Sequence, residues 1–183
     1  TVDEALARIL AETRPLAPRE IALAEALGCV LAADVASDVD SPPFDKALMD
    51  GYAVVASDLQ NGEATLEVIE EIAAGATPTK TISTGKAARI MTGAPIPAGA
   101  DAVVMIERST LLPDGRVQLK DLPVKPGQNL LPRAAAMRKG EVVLPARRLL
   151  RAMEIGLLAE VGVARPQVHP HPRAAILATG NEL

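Results

Sequence analysis

Short apolar runs of β type, cut apart by turn formers, fill the middle of this chain and limit what it can fold into. They fall at 52–55, 66–72, 88–91, 102–106 and 117–119, and clusters such as GAPIPAGAD and LPDGRV separate them. Runs this short, bounded by Gly and Pro, make strands and tight connections. Asp114-Gly115, between TLL and RVQLK, is a hairpin signal. The segment from about 50 to 135 therefore reads as a small all-β module.

The flanks read differently. Thr1 with Glu4 fits a capping box, and Ala5, Leu6, Ile9 and Leu10 follow on one face, which predicts a short amphipathic helix over 2–12. IALAEALG is a further apolar segment closed by Gly28, and VLAADVAS reads as extended. After Gly140, RRLLRAMEIGLLAEVG spaces Leu149, Leu150, Met153, Leu157 and Leu158 as on a helix, with Gly162 as its cap, so a second helix is expected over 147–162. The expected fold is mixed α+β. A first domain of residues 1–45 and 138–172 packs its two helices together, and a β-rich domain of residues 46–137 is inserted in it. The closing RAAILATGNEL reads as a buried strand over 174–178 and a Gly turn. A lone strand of parallel type cannot satisfy its own backbone. Residues 173–183 are therefore expected to begin a further, truncated domain, and the chain to be part of a longer protein.

Composition removes several functions. With a formal net charge of −4, one Phe, one Tyr and no Trp in 183 residues, the chain lacks the basic footprint and the stacking aromatics of nucleic-acid binding. Its core must be aliphatic. Cys29, the one cysteine, lies in an apolar run and reads as a small buried hydrophobe in a reducing compartment. The start Thr1-Val2-Asp3-Glu4 is no basic leader, and no apolar stretch approaches about 18 residues, so a soluble cytoplasmic protein without a membrane span is expected. His169 and His171 read as linker histidines, since a metal pair would need further ligands.

Two stretches carry chemistry. PPFDKALMDGYAV, residues 42–54, packs Asp45, Lys46 and Asp50 beside both aromatics of the chain. It is either a loop entering a strand, with Asp50-Gly51 a plain turn, or a site whose carboxylates hold a hard cation while Lys46 attracts an anion. In the second reading Gly51 lets the backbone approach the ligand, and Phe44 and Tyr52 anchor the stretch in apolar surroundings. IMTGAPIPAGADAVVMIE, residues 90–107, delivers Thr92 and Gly93 into a loop stiffened by Pro95 and Pro97. It is either a rigid crossing or a source of a hydroxyl and two amide donors for an anion.

PPFDKALMDGYAVV, RIMTGAPIPAGADAVVMIE, VKPGQNLLPR, EIGLLAEVG and PRAAILATGNEL occur in this order, and together they resemble the molybdopterin molybdenumtransferase family, the MoeA proteins and the E domain of gephyrin. The resemblance covers essentially the whole chain. It implies an elongated first domain, an inserted β-rich second domain and an α/β third domain of which only the first strand is present. It also implies insertion of molybdate into adenylylated molybdopterin with release of AMP, a requirement for Mg²⁺, and a homodimer whose site lies between subunits. A molybdopterin adenylyltransferase and molybdoenzyme apoproteins are the partners it suggests.

Carried over motif by motif, Asp50, Thr92 and Glu182 are the catalytic candidates, and Asp50 is also the metal ligand. Asp45, Lys46, Gly93, Gln128 and Asn129 are the candidates for cofactor binding, although Gln128 and Asn129 serve equally as turn caps. Asp101 reads more simply as a turn carboxylate, while Lys125 and Arg133 line an anion approach or a solvated face. Four departures stand out. Ala47 replaces a usual serine, Ala134–Ala136 replaces a glycine and acids, Arg147 stands at a usual turn glycine, and Asn181 replaces an aspartate. Three functions are open on these residues: an active transferase, inactive as an isolated fragment; a degenerate scaffold that still binds cofactor; and a β-rich anion- or sugar-binding module.

Overall fold

The computed structural model describes residues 1–120, 123–175, Leu177 and Gly180. In chain order the elements are helix α1 (Val2–Glu12), strands β1 (Arg19–Glu20), β2 (Val30–Leu31), β3 (Val35–Ala36), β4 (Lys46–Ala47), β5 (Gly51–Val54), β6 (Glu63–Ile72), β7 (Lys86–Ile90), β8 (Ala102–Met105), β9 (Ser109–Leu111), β10 (Arg116–Lys120), β11 (Leu130–Leu131) and β12 (Val142–Leu144), then helix α2 (Ala152–Glu160) and strand β13 (Gln167–His169). The class is mixed α+β with few helices. The chain divides into two compact units, one of residues 1–38 and 140–183, the other of residues 39–139. Among the described residues no helix is long and apolar enough to cross a membrane.

The second unit is a six-stranded sheet in the order β8-β5-β7-β6-β10-β9. Its pairs are antiparallel except β6 with β7. That parallel pair needs a connection of about a dozen residues. Residues 73–85 supply it without a helix, pinned by Glu70, which accepts from the amide and hydroxyl of Thr79 and the amide of Lys80, and by buried Ile82. Every residue of β5 is buried. Alternation sends Tyr52 and Val54 into one cluster with Leu59, Leu66, Val104 and Leu119, and Ala53 into another with Ile72, Ile82, Ile90 and Val103. A strand covered on both faces has no use for charged residues, which is why GYAV carries none. The hairpin at Asp114-Gly115 joins β9 to β10; the Asp114 carboxylate accepts the Arg116 amide.

Gly51 answers to packing. A Cβ there would stand 1.9 Å from the Val104 carbonyl oxygen, so the glycine admits β8 rather than a ligand. Tyr52 is buried as expected, but Phe44 is 41% exposed and anchors nothing.

The ends of this unit are tied side by side. Ser41 and Met137 form a bridge. Asp40 accepts from the Lys139 amide at 2.8 Å and from Arg133 Nε at 2.6 Å, and the Arg133 amide donates to Asp45 Oδ1 at 2.7 Å. The Lys139 amide, then the Arg133 guanidinium, hold the Asp40 carboxyl below the usual aspartate range.

In the first unit β13 lies between β1 and β2, and β3 pairs with β12. Leu31, Leu144, Leu150, Leu158 and Val168 fill its core with Ala26 and Cys29, which is buried as its sequence context predicted. The second helix is shorter than expected, because Arg147–Leu150 gives its backbone to the segment Gly28–Leu31. Arg147 N donates to Leu31 O, Leu31 N to Arg148 O, Gly28 N to Leu150 O and Leu150 N to Cys29 O. Buried Glu154 then opens α2, its Oε2 accepting the Arg151 amide and its Oε1 the Arg148 Nε at 2.8 Å. Helix α1 has the predicted capping box, but none of its residues is buried, so the expected packing of the two helices does not occur. Of the strand expected over 174–178, Ala174, Ala175 and Leu177 are exposed and unpaired, there being no strand beside them among the described residues; the rest lies outside the described residues.

Ala134 and Arg147, two of the departures noted in the sequence, take φ of +59° and +69°. This is the left-handed region, which costs a residue with a Cβ about 1–2 kcal/mol, set against the greater freedom of an unfolded glycine. Ala134→Gly and Arg147→Gly should therefore each stabilise the chain by roughly 0.5–1 kcal/mol in chemical denaturation. The Asp40 clasp contributes stability in full above the ordinary aspartate value of 3.8 and loses it as pH falls through the lower folded value. Asp40→Asn should lower the thermal midpoint at neutral pH and flatten its fall in acid, read by calorimetry across pH 3.8.

Candidate functional site

The site follows from register. Antiparallel pairing of Gly51 with Ile90 brings the start of β5 against the end of β7, so Asp50 and Thr92 emerge together although 42 residues apart. Thr92 donates twice to the same oxygen, Asp50 Oδ1, from its amide and its hydroxyl, each at 2.6 Å. The Asp50 carbonyl accepts the Ile106 amide at 2.9 Å, which fixes the carboxylate's backbone. The Thr92 hydroxyl first and its amide next hold the Asp50 carboxyl below the usual range, with the Arg89 charge acting in the same direction. Asp50 is thus an exposed, ionised carboxylate with one oxygen committed and the other without a partner among the described residues.

The neighbouring loops are laced to it. Ile96 N donates to Asp45 O, Gly93 N to Ala47 O, Ala47 N to Ala94 O and Leu48 N to Asn129 O. Asp45, Lys46, Gly93, Gln128 and Asn129 therefore all belong to loops or strands joined around the same end of the sheet. Several polar groups of these loops already have partners within the protein. The Thr92 and Gly93 amides are committed within the protein, so they are not spare anion donors. Asn129 Nδ2 donates to Val103 O at 2.9 Å, covering the edge of β8, and Gln128 Oε1 accepts the Lys125 amide at 3.4 Å, capping the 125–129 turn. Asp101 Oδ1 accepts the Ala56 amide at 2.6 Å, the turn role expected of it. Arg133 is engaged by Asp40. Lys46 stands half-buried on β4 opposite Leu131. Glu182 and Asn181 lie outside the described residues.

Ala47 is 1% exposed in the core, so its missing hydroxyl is not lost from an open surface. Ala134 and Arg147 are positions of backbone conformation, as above. Three of the four departures thus contain a residue that bears on packing or backbone rather than on reacting groups.

Arg89 was missed by the sequence reading. It pairs with Tyr52 across β5 and with Glu71 across β6, and alternation puts it on the face from which Asp50 emerges, one diagonal step away. Its Nε is buried and has no partner among the described residues, and its guanidinium meets Glu71 only loosely, at 3.8 Å. An N–H left in this way costs about 1–3 kcal/mol. The signal was present: Arg89 is the one charge in the buried run Ala87–Ile90.

Among the described residues no three His, Cys, Asp or Glu side chains gather to hold a metal. Asp50 offers the site a carboxylate oxygen without a partner among the described residues, which suits Mg²⁺, an ion that keeps waters and binds through one or two carboxylates and substrate phosphates. In the first unit a groove of about 450 Å³ is lined by Leu16, Cys29, Arg147, His169 and His171 among others. Its histidines bond backbone carbonyls, His169 Nδ1 with Leu16 O at 2.7 Å and His171 Nε2 with Leu27 O at 3.5 Å, and no acid lines it.

Replacing Thr92 by Val should raise the Asp50 carboxyl toward its ordinary value of 3.8, since the largest cause of its depression is removed; a carboxyl NMR titration reads the change.

Residues 1–162 match the family model described as the MoeA N-terminal region, domain I and II. A molybdopterin molybdenumtransferase of Nostoc sp. is 43% identical over 160 residues, 85% of this chain and 36% of that protein. The enzyme of the same name from Haemophilus influenzae is 38% identical over 184 residues, 100% of this chain and 45% of the relative. The crystal structure of the molybdopterin biosynthesis moeA protein from Pyrococcus horikoshii OT3 superposes with a TM-score of 0.83 at 36% identity, over 91% of this chain and 45% of that one. The chain spans less than half the length of these relatives.

Proposed function

The chain belongs to the MoeA N-terminal family, and from that premise we propose that it supplies the first two domains of a molybdopterin molybdenumtransferase. The reaction is insertion of molybdate into adenylylated molybdopterin with release of AMP, in a cytoplasmic homodimer. A molybdopterin adenylyltransferase would supply the adenylylated substrate and molybdoenzyme apoproteins would receive the product. The observation that carries the reading is the doubly held carboxylate: Thr92 fixes Asp50 by two 2.6 Å bonds at the mouth of the β5–β7 pair.

Breaking a phosphoanhydride spreads negative charge over phosphate oxygens, so positioned countercharge is worth more here than a protein nucleophile. Mg²⁺, when bound, supplies that countercharge. Asp50 is the residue that would hold it. Thr92 keeps the carboxylate ionised and in one orientation, so no reorganisation is needed when substrate arrives. Asp45 and Lys46 flank the approach, Gly93, Gln128 and Asn129 brace the loops, and Glu182 is the remaining catalytic candidate.

The test is molybdate-dependent AMP release from adenylylated molybdopterin by the natural full-length protein that carries this chain. Asp50→Asn should lower the rate by roughly 10²–10³-fold with the fold intact, as should removal of Mg²⁺ by chelation. An Asp50→Asn protein that releases AMP at the unaltered rate would refute the reading.

A further inference from the structure

Arg89 is a cation of this face whose one ion pair is loose. Its Nε is buried with no partner among the described residues. Its nearest carboxylate, Glu71, is 3.8 Å away, and the two side chains are 39% and 59% exposed, conditions under which an ion pair contributes little. It is not bonded to Asp50, whose committed oxygen is taken by Thr92. The sheet nevertheless sets the two side by side, because Arg89 is opposite Tyr52 and Asp50 lies two residues before Tyr52 on the same face. A fixed anion with one oxygen unengaged and a partly exposed guanidinium that only loosely meets Glu71 are thus held at one end of one sheet. That pairing is complementary to a ligand that is itself an ion pair, a phosphate chelated to a divalent cation.

We propose that Arg89 is the anion-binding residue of this site and that its guanidinium takes a phosphoryl oxygen of the ligand whose cation Asp50 holds. This rests on the reading of Asp50 given above and extends it to the substrate's phosphate. The guanidinium is planar and forked, so it can bond two oxygens of one phosphoryl group and keep a third N–H toward Glu71. Lys46, by contrast, offers a point charge on a different strand pair.

Isothermal titration of the chain with pyrophosphate, with and without Mg²⁺, tests this. Arg89→Gln should weaken binding of magnesium pyrophosphate about 10- to 100-fold, the loss of a hydrogen bond to a charged group. Arg89→Lys should weaken it about tenfold, since the charge stays and the fork goes. Asp50→Asn should weaken binding only when Mg²⁺ is present. Circular dichroism and the thermal midpoint show that each variant is folded. Should Arg89→Gln fail to fold, Arg89→Lys decides: unchanged affinity overturns the proposal. Unchanged binding in Arg89→Gln overturns it too, while loss of the Mg²⁺ effect in Asp50→Asn would leave the reading of Asp50 standing. A wild-type chain that binds no pyrophosphate also overturns it, and AMP release then judges the transferase reading by itself.

Discussion

The approach of β5 to β8 at Gly51 is the constraint on which the β-rich unit depends. With the Val104 carbonyl where a Cβ would have to be, only a glycine closes that pair. Closing it seals β5 from both sides, and sealing β5 sets the register that brings Asp50 to Thr92. Structure and chemistry therefore share one dipeptide. Asp50 is exposed and Gly51 buried at the same turn into the strand, so neither can move without the other. A packing fault there would be felt as a misplaced carboxylate, and errors of about 1 Å in a positioned group can cost two orders of magnitude in rate.

Around that point the protein commits most of its polar groups to itself. The Gly93 and Thr92 amides, the Asn129 side chain and the Asp45 carboxylate all have internal partners. Among the described residues, one oxygen of Asp50 keeps no partner, and the guanidinium of Arg89 is held only loosely. A site so spare is selective through placement: groups are held rigidly by neighbours that make no contact with ligand themselves.

The longer strands of this unit were legible because alternation and turn residues are local signals, and so were the α1 cap and the hairpin at Asp114-Gly115; the two-residue β4 and β11 were not. The start of α2 was not. Leu149 and Leu150 keep helical spacing, but the backbone bonds of Arg147, Arg148 and Leu150 go to a segment about 120 positions earlier, and a distant partner leaves no periodic trace. The idleness of α1 was hidden for the opposite reason: an amphipathic face announces that it can pack, not that anything packs on it. Asp50 and Thr92 were singled out by motif, yet their meeting depends on non-local register that no single stretch encodes. Arg89 escaped because a lone arginine in a buried strand reads as a long side chain reaching for water.

The clasp of Asp40 with Arg133 and Lys139 has an architectural consequence. A segment whose two ends are stitched together at its own base makes few demands on the chain that carries it, because the gap it leaves is short whatever the length of the excursion. Residues 39–139 could lengthen, shorten a hairpin or exchange a loop over evolutionary time while the host strands on either side kept their partners. The seam would be the last part to change.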